Sequence, residues 1–123
     1  MRLTPEAFED LVIEVLDGMP PELLELLDNV DVVIEQWPSK RQLQLFGLEQ
    51  GTLYGLYEGV PLTRRDSGYQ LVAPDKITIF QRPIERVCVN QKQVARQVRT
   101  TVVHEIAHHF GIDEDRLSEL GWA

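Results

Sequence analysis

Residues 101–115 read TVVHEIAHHFGIDED, and the chain's three histidines, His104, His108 and His109, all lie in this stretch. Whether it is a helix with incidental histidines or a metal-binding helix decides how the whole sequence is read. Upstream, Val94, Val98, Val102 and Ile106 recur every four residues, the spacing of one buried helical face. Asn90 is a good N-cap and Gly111 a good left-handed C-terminal residue, so the pattern predicts a helix over Gln91–Phe110. At about 1.5 Å per residue, such a helix is a rod of roughly 30 Å. Residues four apart stand about 40° from each other around the axis and one turn apart along it. His104 and His108 have that relation and can converge on one ion. His109 lies about 140° from His104 and is expected to pack or sit half exposed, not to serve as a ligand.

Glu105 follows the first histidine and projects beside the pair, which completes H-E-x-x-H. Neutral imidazole is a good ligand for Zn2+, and zinc brings the pKa of a coordinated water down to about 7. A carboxylate beside that water can take its proton during attack on a carbonyl and return it to the leaving amine. Gly111 can adopt positive φ and turn the chain sharply under the helix end. Three acids follow at once: Asp113, Glu114 and Asp115. In H-E-x-x-H-x-x-G-x-x-H the third ligand stands ten residues after the first histidine, and here that residue is Glu114. Carboxylates also ligate zinc, and Asp113 and Asp115 remain alternatives to Glu114. Acids in this position also suit the first turn of a following helix, expected over Glu114–Leu120.

The N-terminal part reads as scaffold. Thr4 caps and Pro5 opens a helix with Phe8, Leu11, Val12, Val15 and Leu16 on one face, stopped at Gly18, Pro20 and Pro21. ELLELLDN predicts a shorter helix with Leu23, Leu24 and Leu27 inward. The run Val30–Gln36 is β-branched and predicts a strand. Residues 39–52 carry mixed signals and read as a loop with room for a short strand or helical turn. A second strand is expected over Thr52–Gly59, where Gly55 marks weakness or a close backbone approach. A third begins at Lys76 and stops at Pro83, which suits a strand end or a sheet edge. Residues 61–75 are polar and turn-rich. The lone cysteine, Cys88, has no partner at ligand spacing and reads as a small buried apolar residue.

The chain has 123 residues, one cysteine and a formal net charge of −8, with 43% hydrophobic and 26% charged residues. Those proportions are ordinary for a globular protein and predict one α+β domain over 1–123. A single cysteine excludes an intrachain disulfide. The first residues lack the n- and h-regions of a signal peptide, and no run nears the roughly 20 apolar residues of a membrane span. A cytoplasmic protein with no membrane partner is the expectation. The acidic balance argues against a nucleic-acid surface, which needs a basic patch.

With RTTVVHEIAHHFGIDEDRL (99–117), LYGLYEGVPLT (53–63) and PDKITIFQRPIE (74–85) read together, the chain resembles the small bacterial proteins described as minimal zincins, or zinc metallopeptidases. The resemblance implies a small zincin-like single domain: a short twisted sheet packed against an N-terminal helix and a long C-terminal active-site helix. It implies Zn2+ on His104 and His108, Glu105 as general base, and a peptide or protein substrate. The family pattern ends in aspartate where this chain has Glu114. The methionine turn that metzincins carry downstream of the site has no counterpart in this sequence, whose methionines, Met1 and Met19, both lie upstream.

An edge strand beside the helix, Lys76–Pro83 or Thr52–Gly59, could capture a peptide by strand addition. Arg64 and Arg65 are more readily solvated loop residues than a carboxylate grip, and Tyr54, Tyr57 and Tyr69 more readily packing residues than oxyanion donors. Two rival functions accompany the peptidase reading. One is a zinc-binding interaction or regulatory module with weak or no proteolysis. The other is a small zinc ribonuclease, which the missing third histidine and the acidic balance disfavour.

Overall fold

A computed structural model describes residues 1–45, 53–59 and 74–122. The expectations for Arg64, Arg65, Tyr69 and the loop from Pro61 lie outside these residues, as does the start of the second predicted strand at Thr52.

In chain order the elements are α1 (Pro5–Asp17), α2 (Pro21–Leu26), β1 (Val30–Glu35), α3 (Lys40–Leu45), β2 (Gly55–Glu58), β3 (Asp75–Phe80), α4 (Gln81–Arg86), α5 (Gln91–Phe110) and α6 (Glu114–Leu120). The fold is α+β with a three-stranded sheet in the order β1-β3-β2. β1 runs parallel to β3, and β2 runs antiparallel to it.

The third predicted strand is therefore central, not an edge, and its sequence shows why. Ile77, Thr78, Ile79 and Phe80 are all fully buried, so both faces of β3 are covered. Pro83 does not end that strand either. The chain leaves it at Phe80 and enters α4 directly, with Pro83 in the first helical turn, where its missing N–H costs nothing. Residues 40–45, which read as loop, form α3, and the Ser39–Gln42 exchange caps it: the Ser39 amide donates to Gln42 Oε1 at 2.7 Å, and the Gln42 amide donates to Ser39 Oγ at 3.1 Å. In α2 only Leu23 is fully buried, while Leu24 points outward.

The long helix α5 lies against β2, β3 and α1. Its stripe of Val94, Val98, Val102 and Ile106 is fully buried and meets Phe8 and Val12 of α1 in one core. Cys88 belongs to the same core and is 5% exposed. Asn90 caps α5 by accepting the Gln93 amide at 2.9 Å. Gly111 ends it at φ 70°, ψ 30°. No helix among the described residues is long and apolar enough to cross a membrane.

A buried carboxylate ties the N-terminal segment to α4. Glu85 accepts the Leu3 amide at 2.7 Å, the Gln81 side chain at 3.1 Å and the Arg82 guanidinium at 2.7 Å. Burial alone would raise its pKa, but the Gln81 amide, the Leu3 N–H and Arg82 together hold it below the ordinary 4.5. A depressed folded-state pKa stabilises the fold above the unfolded value, and that contribution disappears as pH falls through the folded one. The denaturant midpoint of the native protein is expected to drop on acidification below about pH 4.5. Glu85→Gln is expected to lose about 1–3 kcal/mol at pH 7 and to flatten that acid limb in urea titrations. Equal stability of the two proteins at pH 7 would contradict this role.

Candidate metal and catalytic site

The site rests on a match between two periodicities. Two residues along a strand advance roughly 6.6 Å, and four residues along a helix roughly 6 Å. Gly55, Tyr57 and Gly59 of the β2 segment can therefore meet Thr101, Glu105 and His109 of α5 in step. A Cβ built on Gly55 would collide with Thr101 Cγ2 and stand 3.3 Å from the Thr78 carbonyl oxygen, so the helix comes this close because residue 55 has no side chain. A Cβ on Gly59 would stand 3.3 Å from the His109 ring. Of the two readings open for Gly55, close approach is the one observed.

Between these two contacts, the Tyr57 backbone N–H points away from β3 and donates to Glu105 Oε1 at 3.0 Å. Glu105 is partly buried against the strand, and burial pushes its carboxyl above the usual carboxylate range. The Tyr57 N–H and the charges of His108 and His104 act in the opposite direction. One turn on, His109 stacks on the Tyr57 ring with centroids 3.9 Å apart and planes 17° from parallel. The Tyr57 hydroxyl donates to Asp75 Oδ2 at 2.7 Å, and His109 Nε2 lies 4.0 Å from the same oxygen. His109 is thus a packing histidine, and the phenol of Tyr57 is buried in a bond to Asp75.

His104 and His108 lie on the exposed side of α5, beyond the strand. Beyond Phe110 the amides of Gly111 and Ile112 both return to the Ala107 carbonyl, the latter at 2.8 Å, and fold the chain back. Asp113 is then spent as the N-cap of α6, its Oδ1 accepting the Arg116 amide at 2.8 Å. Asp115 sits exposed in the first turn. Glu114 points back to α5, and its Oε1 lies 3.5 Å from His104 Nε2. The structure therefore brings together His104 and Glu114, with His108 one turn along and Glu105 between strand and helix. Among the described residues no group of three His, Cys, Asp or Glu side chains is already gathered as a metal-binding set. The donors nonetheless suit a zinc ion in kind: two exposed imidazoles at i, i+4 and a carboxylate already against one of them.

The model of a family described as zincin-like metallopeptidase matches residues 27–122. The chain belongs to the zincin-like metallopeptidase family. The match takes in the sheet, α5, the bend and α6, so the family's scaffold and the candidate site coincide on this chain. A solved structure of a conserved hypothetical protein from Thermus thermophilus is similar over 88% of this chain and 94% of its own, with a TM-score of 0.56 and 22% identity. That likeness shows a shared fold alone. The comparison with curated proteins finds no match. Membership makes this chain a metallopeptidase candidate at the level of the family.

Neither the Tyr57 N–H nor Asp75 stands out in the sequence. A signal is present in Gly55-x-Tyr57-x-Gly59, whose alternating glycines mark a strand edge that something approaches closely. Gly55→Ala is expected to cost about 1–3 kcal/mol by forcing α5 off the sheet. Adding Thr101→Ser, which deletes the opposing methyl and leaves only the 3.3 Å approach to the Thr78 carbonyl oxygen, is expected to recover part of that loss. Chemical denaturation of the single and double variants measures both, and additive losses would contradict the steric account.

Proposed function

We propose that this chain is a zinc-dependent peptidase in which His104, His108 and Glu114 hold the ion and Glu105 is the general base. The observation that carries the reading is the place of Glu105. Its carboxylate is fixed at the edge of β2 that faces away from β3 by the Tyr57 N–H and flanked by the two histidines of H-E-x-x-H. A peptide held by the remaining outward backbone groups of β2 would run past that carboxylate, so the strand that would bind the substrate also positions the base.

A bound zinc ion supplies Lewis acidity, which acidifies water and polarises a carbonyl. The chain's own residues do the rest. The Glu105 carboxylate accepts a proton from the attacking water and then delivers it to the departing amine nitrogen. Its partial desolvation raises its basicity toward the range that such a shuttle needs. Glu114, reaching back from the start of α6, couples the bend at Gly111 to the ion. The Tyr57–Asp75–His109 packing keeps the strand edge, and with it Glu105, at a set distance from the histidines.

Glu105→Gln is expected to retain zinc and lower peptide hydrolysis by about 10²-fold or more. His104→Ala and His108→Ala are expected to abolish stoichiometric zinc uptake, measured by metal analysis after dialysis. Glu114→Ala is expected to weaken uptake. Zinc-loaded wild type that cuts no member of a peptide library would replace this reading with that of a non-catalytic zinc module. Activity surviving in Glu105→Gln would reassign the base.

A further inference from the structure

The side of α5 turned toward the C-terminal segment carries a cavity of about 370 Å3 lined by Arg96, Arg99, Thr100, Val103, His104 and Trp122. Its apolar wall is well built: Val103 is 2% exposed and Trp122 is 6% exposed. Trp122 is fixed there because Gly121 turns at φ 76° and the Trp122 amide returns to the Leu117 carbonyl at 2.9 Å. Along α5 the spacing 96, 99, 100, 103 keeps both arginines and the apolar wall on one helical face. His104 stands one turn beyond Thr100 and closes the cavity at the end nearest the candidate metal ligands.

Among the described residues no carboxylate forms an ion pair with Arg96 or Arg99. Arg99 is half-buried. A second cavity of about 540 Å3, between α1 and α5, shares both arginines, adds Lys92, and has Glu14 on its far wall. In a chain of net charge −8, this is a local positive field set against the overall sign. It adjoins the site and not some remote surface.

We propose that the cavity beside His104 is a carboxylate-binding subsite, so that the preferred substrates are peptides carrying an acidic side chain or a free C-terminal carboxylate close to the bond that is cut. This rests on the peptidase reading above and names its substrate class. The dimensions agree. Arg99 lies five residues from His104, roughly 7.5 Å along the helix and about 140° around it, and Arg96 eight residues, roughly 12 Å along and about 80° around, so it is the shared cavity that joins both arginines to His104. An extended peptide advances roughly 3.3 Å per residue, so a carboxylate within about three residues of the bond reaches the guanidiniums. Arginine's planar fork suits a carboxylate, and the apolar wall of Val103 and Trp122 strengthens the pairing by excluding water.

The test uses matched peptides with Glu or Gln at each position flanking a cut site, each made with a free and an amidated C-terminus. Cleavage is measured with the zinc-loaded protein. Binding of the same peptides to Glu105→Gln protein is measured separately by fluorescence anisotropy. A carboxylate is expected to raise kcat/KM and affinity by about tenfold. The preference should shrink as ionic strength rises and collapse in the Arg96→Gln, Arg99→Gln double variant. The fold of that variant is checked by thermal unfolding, and its zinc content should equal that of wild type. The Gln and amide arms identify which carboxylate is read. Equal handling of charged and neutral peptides, or a preference that persists in the double variant, overturns the subsite. If no peptide is cut, the peptidase reading has failed, while the anisotropy comparison still decides whether Arg96 and Arg99 read a carboxylate.

Discussion

One contact holds the site together: the side-by-side approach of α5 to the edge strand β2, made possible by Gly55 and closed by the Tyr57 N–H bond to Glu105. A side chain at residue 55 would push the helix outward. Glu105 would then face water instead of the strand, and the acid that carries the proposed chemistry would lose both its fixed position and the burial that raises its basicity. The contact also sorts the exposed side of α5. Thr101, Glu105 and His109 are drawn to the strand, and His104 and His108 are left standing beyond it. One strand edge thus separates packing histidine from candidate ligands.

Local backbone chemistry after the helix extends that order to the third donor. The αL turn at Gly111 and the Asp113 cap fix where α6 begins, and that start aims Glu114 back at His104. The three acids differ in role because the bend differs for each. Asp113 bonds the backbone, Asp115 faces solvent, and Glu114 alone approaches an imidazole. The extra methylene of glutamate over aspartate supplies the reach back across the bend. The buried Glu85 cluster joins the N-terminal segment to α4, and α4 in turn packs on the rod that bears the site.

The elements legible in the sequence are those whose signals are local. The limits of α5 follow from Asn90, Gly111 and a four-residue apolar repeat, and those of α6 from the acids after the bend. The α+β class and the zincin-like family are legible from motif and strand pattern together. Strand order is not, because pairing is non-local. Lys76–Phe80 alternates like a half-exposed strand, yet tertiary contacts cover both its faces. Pro83 reads as a stop, although the same residue opens a helix equally well. Within the site, Glu105, His104, His108 and Glu114 stand out by spacing. The Tyr57 N–H does not, because a backbone donor leaves no mark in residue type. Arg96 and Arg99 are invisible for a related reason: two arginines on a helix look like solvated surface until Trp122 is seen to wall in the space beside them.

X-ray absorption spectroscopy of the zinc-loaded native protein tests the central claim most directly. The account predicts one zinc per chain with two imidazole nitrogens and at least one carboxylate oxygen at about 2.0–2.2 Å, and loss of the imidazole signature when His104 or His108 is replaced. A protein that takes up no stoichiometric zinc, or a coordination shell without two imidazoles, would contradict it.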